Sequence, residues 1–344
     1  MPVTIKDVAK RVGLSSSTVS RAINKSGYVS EETQRLVDKA VMELDYRPNW
    51  MARGLKGKPS HFIGLIIPDI SNLYYTAIAR SVSNELQRYN YHLILCLNEE
   101  SKEIDLNYLK MLSEKRVDGI LYVHPANGNN SKFVRYLAND GFPIVELNRQ
   151  RESDILDAVI ADNFQGAYQM THYLISKGNC RIGLIMGETD LTTGKNRLAG
   201  YQKALEDARI PIDKDLISIG SFTRSHGEKG INELLQLIDP PTAIFAGSNR
   251  ILMGVLYVLG QKGLHIPNDI SIVAFNDAEW LSTWNPPITV VDIATDEMAQ
   301  VAVEILVRRI TSPEKEHKPI TYQLSTLLIE RKSCKQLSKP KLAE

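Results

Sequence analysis

Val12–Gln34 reads VGLSSSTVSRAINKSGYVSEETQ. Gly13 is a helix stop, and Ser15 to Ser17 stand before a new apolar period. Upstream, TIKDVAKRVGL predicts a helix. Thr4 is its N-cap, Asp7 favours its first turn, and Ile5, Val8, Ala9 and Val12 share one face. Ser15 caps a second helix with Val19, Ala22 and Ile23 facing inward. Asn24 to Gly27 form a break. Ser30 then caps a third helix, with Leu36, Val37, Ala40, Val41 and Leu44 as its buried stripe. Two short helices joined by a glycine turn and braced by a third form a helix-turn-helix plan.

Charge is uneven along the chain. Residues 1–60 hold eleven Lys and Arg against six Asp and Glu, a net +5, which leaves −4 for the remainder of a chain whose total is +1. A small basic head on a mildly acidic body suits a polyanion partner; a solvated charged surface is the plainer alternative. In a helix-turn-helix the second helix enters the major groove N-terminus first. Ser16 and Ser17 are short hydroxyls that allow close approach, and Arg21, about one turn on, can bond a guanine edge with two prongs. Thr4, Ser30 and the helix N-terminal amides suit phosphates. The competing reading makes the serines a cap and a solvated turn, and for Ser15 that reading is preferred.

The stretches TIKDVAKRVGLS, TVSRAIN, VSEETQ and LDYRPNWMARGL cover nearly all of the first 57 residues. They resemble the DNA-binding head of the lactose-repressor (LacI/GalR) family. The resemblance implies that Ser16, Ser17 and Arg21 read an operator half-site. It extends the DNA-contacting set to Thr4, Ser15, Ser20, Asn24, Tyr28 and Ser30. Pro48 can start a short helix over NWMARGLKG, too weak to stand alone because of Gly54 and Gly57. By resemblance this is a hinge helix that folds when two copies meet in the minor groove. Leu55 is then the apolar wedge, Ala52 permits close helix approach, and Asn49 and Arg53 touch backbone or groove. A flexible linker with an incidental leucine is the alternative.

From His61 the texture changes. Strand-like runs (FIGLIIPD, YHLILCLN, DGILYVHP, FPIVELN, RIGLIMGE, AIFAGSN, ISIVAFND, ITVVDI) alternate with helical patterns such as YYTAIARSVSNELQRYN and NRILMGVLYVLGQKG. That alternation predicts parallel sheets flanked by helices. Ile63–Ile66 (IGLI) recurs at Ile182–Ile185, so two similar lobes are expected. PDISNLYY, KRVDGILYV, NRLAGYQKAL and PPTAIFAGSN resemble the periplasmic-binding-protein-like effector domain of the same family. The expected fold is an all-α helix-turn-helix head plus an α/β two-lobed body. The head spans 1–46, the hinge 47–60, the body 61–338 and a tail 339–344. The resemblance implies three crossings between lobes, placed near Ala161, Val290 and Leu324. Lobe one is then about 61–161 with 291–323, and lobe two about 162–290 with 324–338.

Ligands of open parallel sheets sit beyond the carboxyl ends of the strands, and two facing lobes form a cleft. Strand ends nominate Ser71, Asn72, Tyr75, Asn148 and Arg149 from the first lobe. From the second they nominate Asp190, Thr193, Arg197, Phe222, Asn249, Asn276 and Trp280. Rings would stack on sugar faces, and amides and guanidinium groups would take hydroxyls or charges; core packing competes for each aromatic. By resemblance Arg197 contacts the effector. The family usually has aspartate where this chain has Asn148, Asn249 and Asn276. Arg149 and Arg197 remain, and Arg224, His226 and Arg250 lie near strand ends. Losing carboxylates while keeping guanidinium groups lowers the cost of binding an anion. An acidic effector, a sugar acid or sugar phosphate, is therefore expected, with a neutral sugar as the alternative.

Other function classes are disfavoured. No GxGxxG follows a strand, and there is no phosphate loop, metal-spaced histidine set or nucleophile elbow. Neither an enzyme nor a cofactor or metal site is expected. Cys96, Cys180 and Cys334 are far apart, which suits a reducing compartment. The N-terminus lacks an apolar signal region and the longest apolar runs are strand-sized, so a cytoplasmic protein with no membrane partner is expected, not a transport binding protein. A catabolite-control regulator with a protein co-effector is a further alternative; DEMAQVAVEILV begins acidic and has Glu304 where that group has an arginine. The expected function is a transcriptional regulator, a repressor, that binds a pseudo-palindromic operator as a homodimer under control of a sugar-like effector. SCKQLSKPKLAE carries no heptad, so no tetramer is expected.

Overall fold

Three short helices build the head: α1 (Ile5–Val12), α2 (Ser16–Asn24) and α3 (Glu31–Glu43). Thr4 opens α1, its backbone N–H and hydroxyl both donating to Asp7 at 2.8 and 2.7 Å. Gly13 closes it in the left-handed region at φ 68°. Ser15 accepts from the Thr18 N–H at 3.1 Å, so it is the cap of α2. Ser30 caps α3 through the Thr33 N–H. Val8, Ala9, Val19, Ala22, Val37 and Ala40 form the core between them. Leu36 does not join it and is 49% exposed. It sits about 100° around the helix from Val37, off the face that Val37, Ala40, Val41 and Leu44 share.

The computed structural model describes residues 3–24, 27–46, 59–114, 117–151, 153–312 and 318–337. Asn49, Ala52, Arg53 and Leu55 of the expected hinge lie outside these residues, as do the tail from 338 and the side chain of Asn24. The chain divides into two units, Met1–Ser60 and His61–Glu344.

The second unit begins with β1 (Phe62–Ile67), α4 (Leu73–Arg88), β2 (His92–Leu97), α5 (Lys102–Ser113), β3 (Gly119–Tyr122), α6 (Ser131–Asn139), β4 (Ile144–Leu147) and β5 (Asp157–Ala161). Then follow α7 (Asn163–Ser176), β6 (Ile182–Met186), α8 (Thr192–Asp207), β7 (Ile217–Ile219), α9 (Arg224–Leu235), β8 (Ala243–Ala246), α10 (Asn249–Gln261), β9 (Ser271–Phe275), α11 (Glu279–Thr283) and β10 (Thr289–Ile293). Last come α12 (Thr295–Thr311), β11 (Thr321–Leu324) and β12 (Thr326–Ile329). One sheet has the order β11-β5-β4-β3-β1-β2 and the other β12-β10-β9-β8-β6-β7. The first sheet is parallel throughout, and in the second only β12 runs antiparallel, against β10. The central strands are near-continuous apolar runs because helices cover both faces.

The chain leaves the first sheet after Ala161, returns through α12, and crosses back between Leu324 and Thr326. The crossing expected near Val290 falls after Ile293. Val290 and Val291 are fully buried and paired with β9, so β10 belongs wholly to the second lobe.

Helices α9 and α10 touch backbone to backbone. A Cβ on Gly227 would lie 2.1 Å from the Ile251 carbonyl oxygen, and one on Gly254 would lie 2.1 Å from that of Arg224. Gly227→Ala must therefore push the helices apart. Overpacking of this kind costs ~1–3 kcal/mol, which urea denaturation would show as a lower midpoint; an unchanged midpoint would mean that the contact relaxes freely.

Candidate functional site

A cavity of about 490 Å³ lies in the body where the strands of both sheets end. The first lobe supplies Asp69 and Asn72 after β1, Glu99 and Glu100 after β2, Asn127 after β3, and Asn148 and Arg149 after β4. The second supplies Glu188 after β6, Thr193 and Arg197 from α8, Phe222 after β7, Ser248 and Arg250 after β8, and Asn276 after β9.

A hydrogen-bonded relay spans the first-lobe side. Tyr74 Oη donates to Asn148 Oδ1 at 3.0 Å, and Asn148 Nδ2 donates to Tyr75 Oη at 3.3 Å. Burial pushes both phenol pKa values up. Beside them Arg149, only 3% exposed, grips Glu100 with both Nη atoms at 2.9 and 2.8 Å and also donates to the His124 carbonyl at 2.6 Å. Glu100 further accepts from the Ala126 N–H.

Arg197 is held differently. Its Nε donates to Asn163 Oδ1 at 2.8 Å, its Nη1 to the Gly247 carbonyl at 2.6 Å, and its guanidinium lies 3.9 Å over the Phe275 ring. No carboxylate among the described residues pairs with it, and burial lowers its pKa to about 10. Phe222 takes its place because residue 187 is glycine: a Cβ there would lie 2.1 Å from the ring. The Glu188 carboxyl is pushed up by burial and by the carboxylates of Glu100 and Asp190, with Arg149 opposing. Across the cleft, Arg250 lies 4.0 Å from Asp69 and the Gln150 N–H donates to Thr192 Oγ1 at 3.2 Å.

Of the nominated residues, Asn72, Tyr75, Asn148, Arg149, Thr193, Arg197, Phe222 and Asn276 line the cavity. Ser71 does not; it is exposed and spends its hydroxyl on Asp69 at 2.6 Å. Asp190 is exposed outside the lining, and Glu188 takes the carboxylate position. Asn249 is the first residue of α10, buried beside the lining residues Ser248 and Arg250 without lining the space itself. Trp280 packs on the second-lobe core and meets Trp284 edge-on at 5.7 Å. Arg224 pairs with Glu228 at 2.7 Å and covers the Tyr257 ring, and His226 bonds the Met186 carbonyl, so neither reaches the cavity. Glu100 and Glu188 were missed by the sequence reading, although each follows a strand within a few residues.

The head presents Ser16, Ser17 and Arg21 on the exposed side of α2. Ser17 Oγ lies 2.7 Å from Ser15 Oγ. Ser20 is half-buried, and Tyr28 is 91% exposed in the turn before α3. Among the described residues no group of three or more His, Cys, Asp or Glu is placed to hold a metal ion, and no helix is long and apolar enough to cross a membrane.

A helix-turn-helix head joined to a two-lobed body with a polar cleft defines the architecture of a DNA-binding transcriptional regulator. The chain belongs to the LacI family. Residues 4–49 match the model of bacterial regulatory proteins of the lacI family, and residues 60–331 that of periplasmic binding proteins and the sugar-binding domain of the LacI family. It is 33% identical to the HTH-type transcriptional repressor PurR of Actinobacillus pleuropneumoniae serotype 3 (strain JL03), over 98% of this chain and 99% of that one. The structure of the lac repressor dimer bound to operator and the anti-inducer ONPF superposes with a TM-score of 0.83 at 25% identity, covering 97% of this chain and 99% of that chain. The complex of the transcriptional regulator CelR with cellobiose gives a TM-score of 0.72 at 29% identity, covering 96% and 99%. The protein is a DNA-binding transcriptional repressor and not an enzyme.

The Arg149–Glu100 pair is mostly buried, with side-chain exposures of 4% and 27%. Removing one partner strands the other charge. Glu100→Gln should cost ~3–5 kcal/mol of stability, seen as a clear fall in melting temperature. A change within a few tenths of a kcal/mol would show that water already screens the pair.

Proposed function

We propose that this repressor binds a pseudo-palindromic operator as a homodimer and releases or grips it according to a small sugar-like effector in the cleft. The reading divides the chain into a head (1–46), a hinge (47–60), a body (61–338) and a short tail (339–344). Ser16, Ser17 and Arg21 read base edges in the major groove. Thr4, Ser15, Ser20, Asn24, Tyr28 and Ser30 hold phosphates or flank the reading helix. Asn49, Ala52, Arg53 and Leu55 act in the minor groove, with Leu55 as the wedge. A DNA partner places this work in the cytoplasm. Ile70 and Leu73, close to Asp69, are exposed, as are Met253 and Tyr257 on the helix that carries Arg250. They offer apolar area for subunit pairing.

The observation that carries the effector reading is Arg197. A guanidinium only 4% exposed, lining a cavity and without a carboxylate partner among the described residues, is costly to keep unless an occupant uses it. It supports an effector with an acidic or acceptor-rich group, a sugar acid or sugar phosphate. Arg149 adds nothing to that attraction, because Glu100 already neutralises it. The case for an anion therefore rests on Arg197 and the neutral amides Asn148 and Asn276. The lac repressor structure is a complex with operator and an anti-inducer, and CelR is a complex with cellobiose, which supports a small-molecule effector for this chain.

Arg197→Ala should leave operator affinity of the ligand-free protein unchanged and abolish every effector response in a mobility-shift titration. A retained response would move the site elsewhere. Arg21→Ala should cost ~1–3 kcal/mol at one base position and relax specificity there. Equal loss across all substituted operators would mean that Arg21 holds phosphate instead.

A further inference from the structure

The cavity wall holds two arginines in different electrical settings. Among the described residues Arg197 is bound only to neutral groups: an amide oxygen, a backbone carbonyl and the face of Phe275. Arg149, by contrast, is balanced by Glu100 through two hydrogen bonds. Glu188 comes to that balanced pair from the opposite lobe as an additional carboxylate. Its Oε2 is shielded from water and has no hydrogen-bond partner. Two further cavity-lining atoms are in the same condition, Nε of Arg149 and Nδ2 of Asn276, on residues only 3% and 5% exposed. Unpaired donors and an unpaired acceptor on residues lining one cavity mark positions that an occupant completes.

We propose that the effector carries both charges on a polyhydroxylated frame: an acidic group set at Arg197 and an ammonium group set at Glu188. The chemical class is an amino sugar bearing a phosphate or carboxylate. This rests on the cleft reading above and adds the second charge. A neutral sugar would leave Arg197 and Glu188 each uncompensated. A simple anion would satisfy Arg197 but bring more negative charge toward Glu188, Glu100 and Asp190. A ligand of both signs relieves both groups at once. The raised Glu188 carboxyl points the same way: burial, with Glu100 and Asp190 nearby, makes its charge unfavourable until a cation meets it. A cavity of about 490 Å³ accommodates a phosphorylated hexosamine.

The test uses the full chain, near neutral pH, titrated calorimetrically with glucose, glucose 6-phosphate, glucosamine and glucosamine 6-phosphate. Glucosamine 6-phosphate should bind at least ~10-fold tighter than either singly charged compound. Glu188→Gln should erase the advantage of the amine and leave glucose 6-phosphate binding in place. Glucose 6-phosphate binding as tightly as its amine counterpart overturns the proposal but keeps the cleft reading, provided Arg197→Ala abolishes that binding. Preference for plain glucose, or heat from none of the four, also overturns it. A ligand-free measurement stands beside these. A carboxyl whose folded pKa is raised loses stability as pH climbs from the ordinary carboxylate range through the raised value. Glu188→Gln removes that loss, so its melting temperature should exceed that of the parent at neutral pH and converge with it in acid. Equal melting temperatures at neutral pH would show that Glu188 carries no unfavourable charge, and the proposal would fall.

Discussion

Parallel sheets buried on both faces leave polar chemistry only the ends of their strands. The body obeys that constraint throughout. Ile63, Leu65, Ile66 and Ile67 of β1, and Ile182, Leu184 and Ile185 of β6, are sealed beneath helices. The polar groups gather where those strands finish: Asp69 after β1, Glu100 after β2, Arg149 after β4, Glu188 after β6. Because the chain passes repeatedly between the sheets, both sets of ends line one cavity. A ligand there bonds two lobes rather than one, and its affinity then depends on the angle between them.

Two arginines with nearly equal burial show how much the partner matters. Arg149 and Arg197 are 3% and 4% exposed. For Arg149 burial works against the charge, but Tyr75 and Glu100 outweigh it and its pKa rises. For Arg197 burial prevails and the value falls to about 10. Dipoles and a ring face hold Arg197 in position without cancelling its charge, so it is positioned and still reactive toward an anion. Arg149 is positioned with its charge already balanced by Glu100.

Much of this was legible in the sequence, and the failures have physical causes. The head followed from Gly13, the serine caps and the 3.6-residue period; Leu36 failed because it borders the apolar stripe without lying on it. Strand alternation located the sheets, yet β10 was assigned across the crossing because its pattern looks the same in either lobe; only its pairing with β9 and β12 decides. The rule that ligands sit at strand ends found Asn148, Arg149, Phe222 and Asn276. It missed Glu100 and Glu188, although the same rule applies to them. Attention to aspartates replaced by asparagine hid carboxylates supplied by neighbouring strands. Trp280 offered an obvious stacking ring, but its helix turns it onto the second-lobe core. Side-chain direction at a strand end is a tertiary property, and spacing alone does not carry it.

The strength of the ties across the cleft limits what an effector must overcome. Asp69 and Arg250 sit at 4.0 Å with 44% and 28% of their side chains exposed. An exposed pair of that kind is worth about 0–1 kcal/mol. A second polar tie, Gln150 to Thr192, is a neutral hydrogen bond at 3.2 Å, worth roughly 0.5–1.5 kcal/mol. A charged group on a ligand that bonds Arg197 gains roughly 1.5–3 kcal/mol per hydrogen bond, and the group is enclosed enough for salt to screen it little. One such ligand bond therefore matches or exceeds either of these two polar ties. Under the proposed reading, whatever preference the effector has for one lobe angle is returned by linkage as an equal change in operator affinity. At the cleft itself these two polar ties are weak and partly exposed while the ligand-facing groups are buried, and that is the combination the proposed effector control needs.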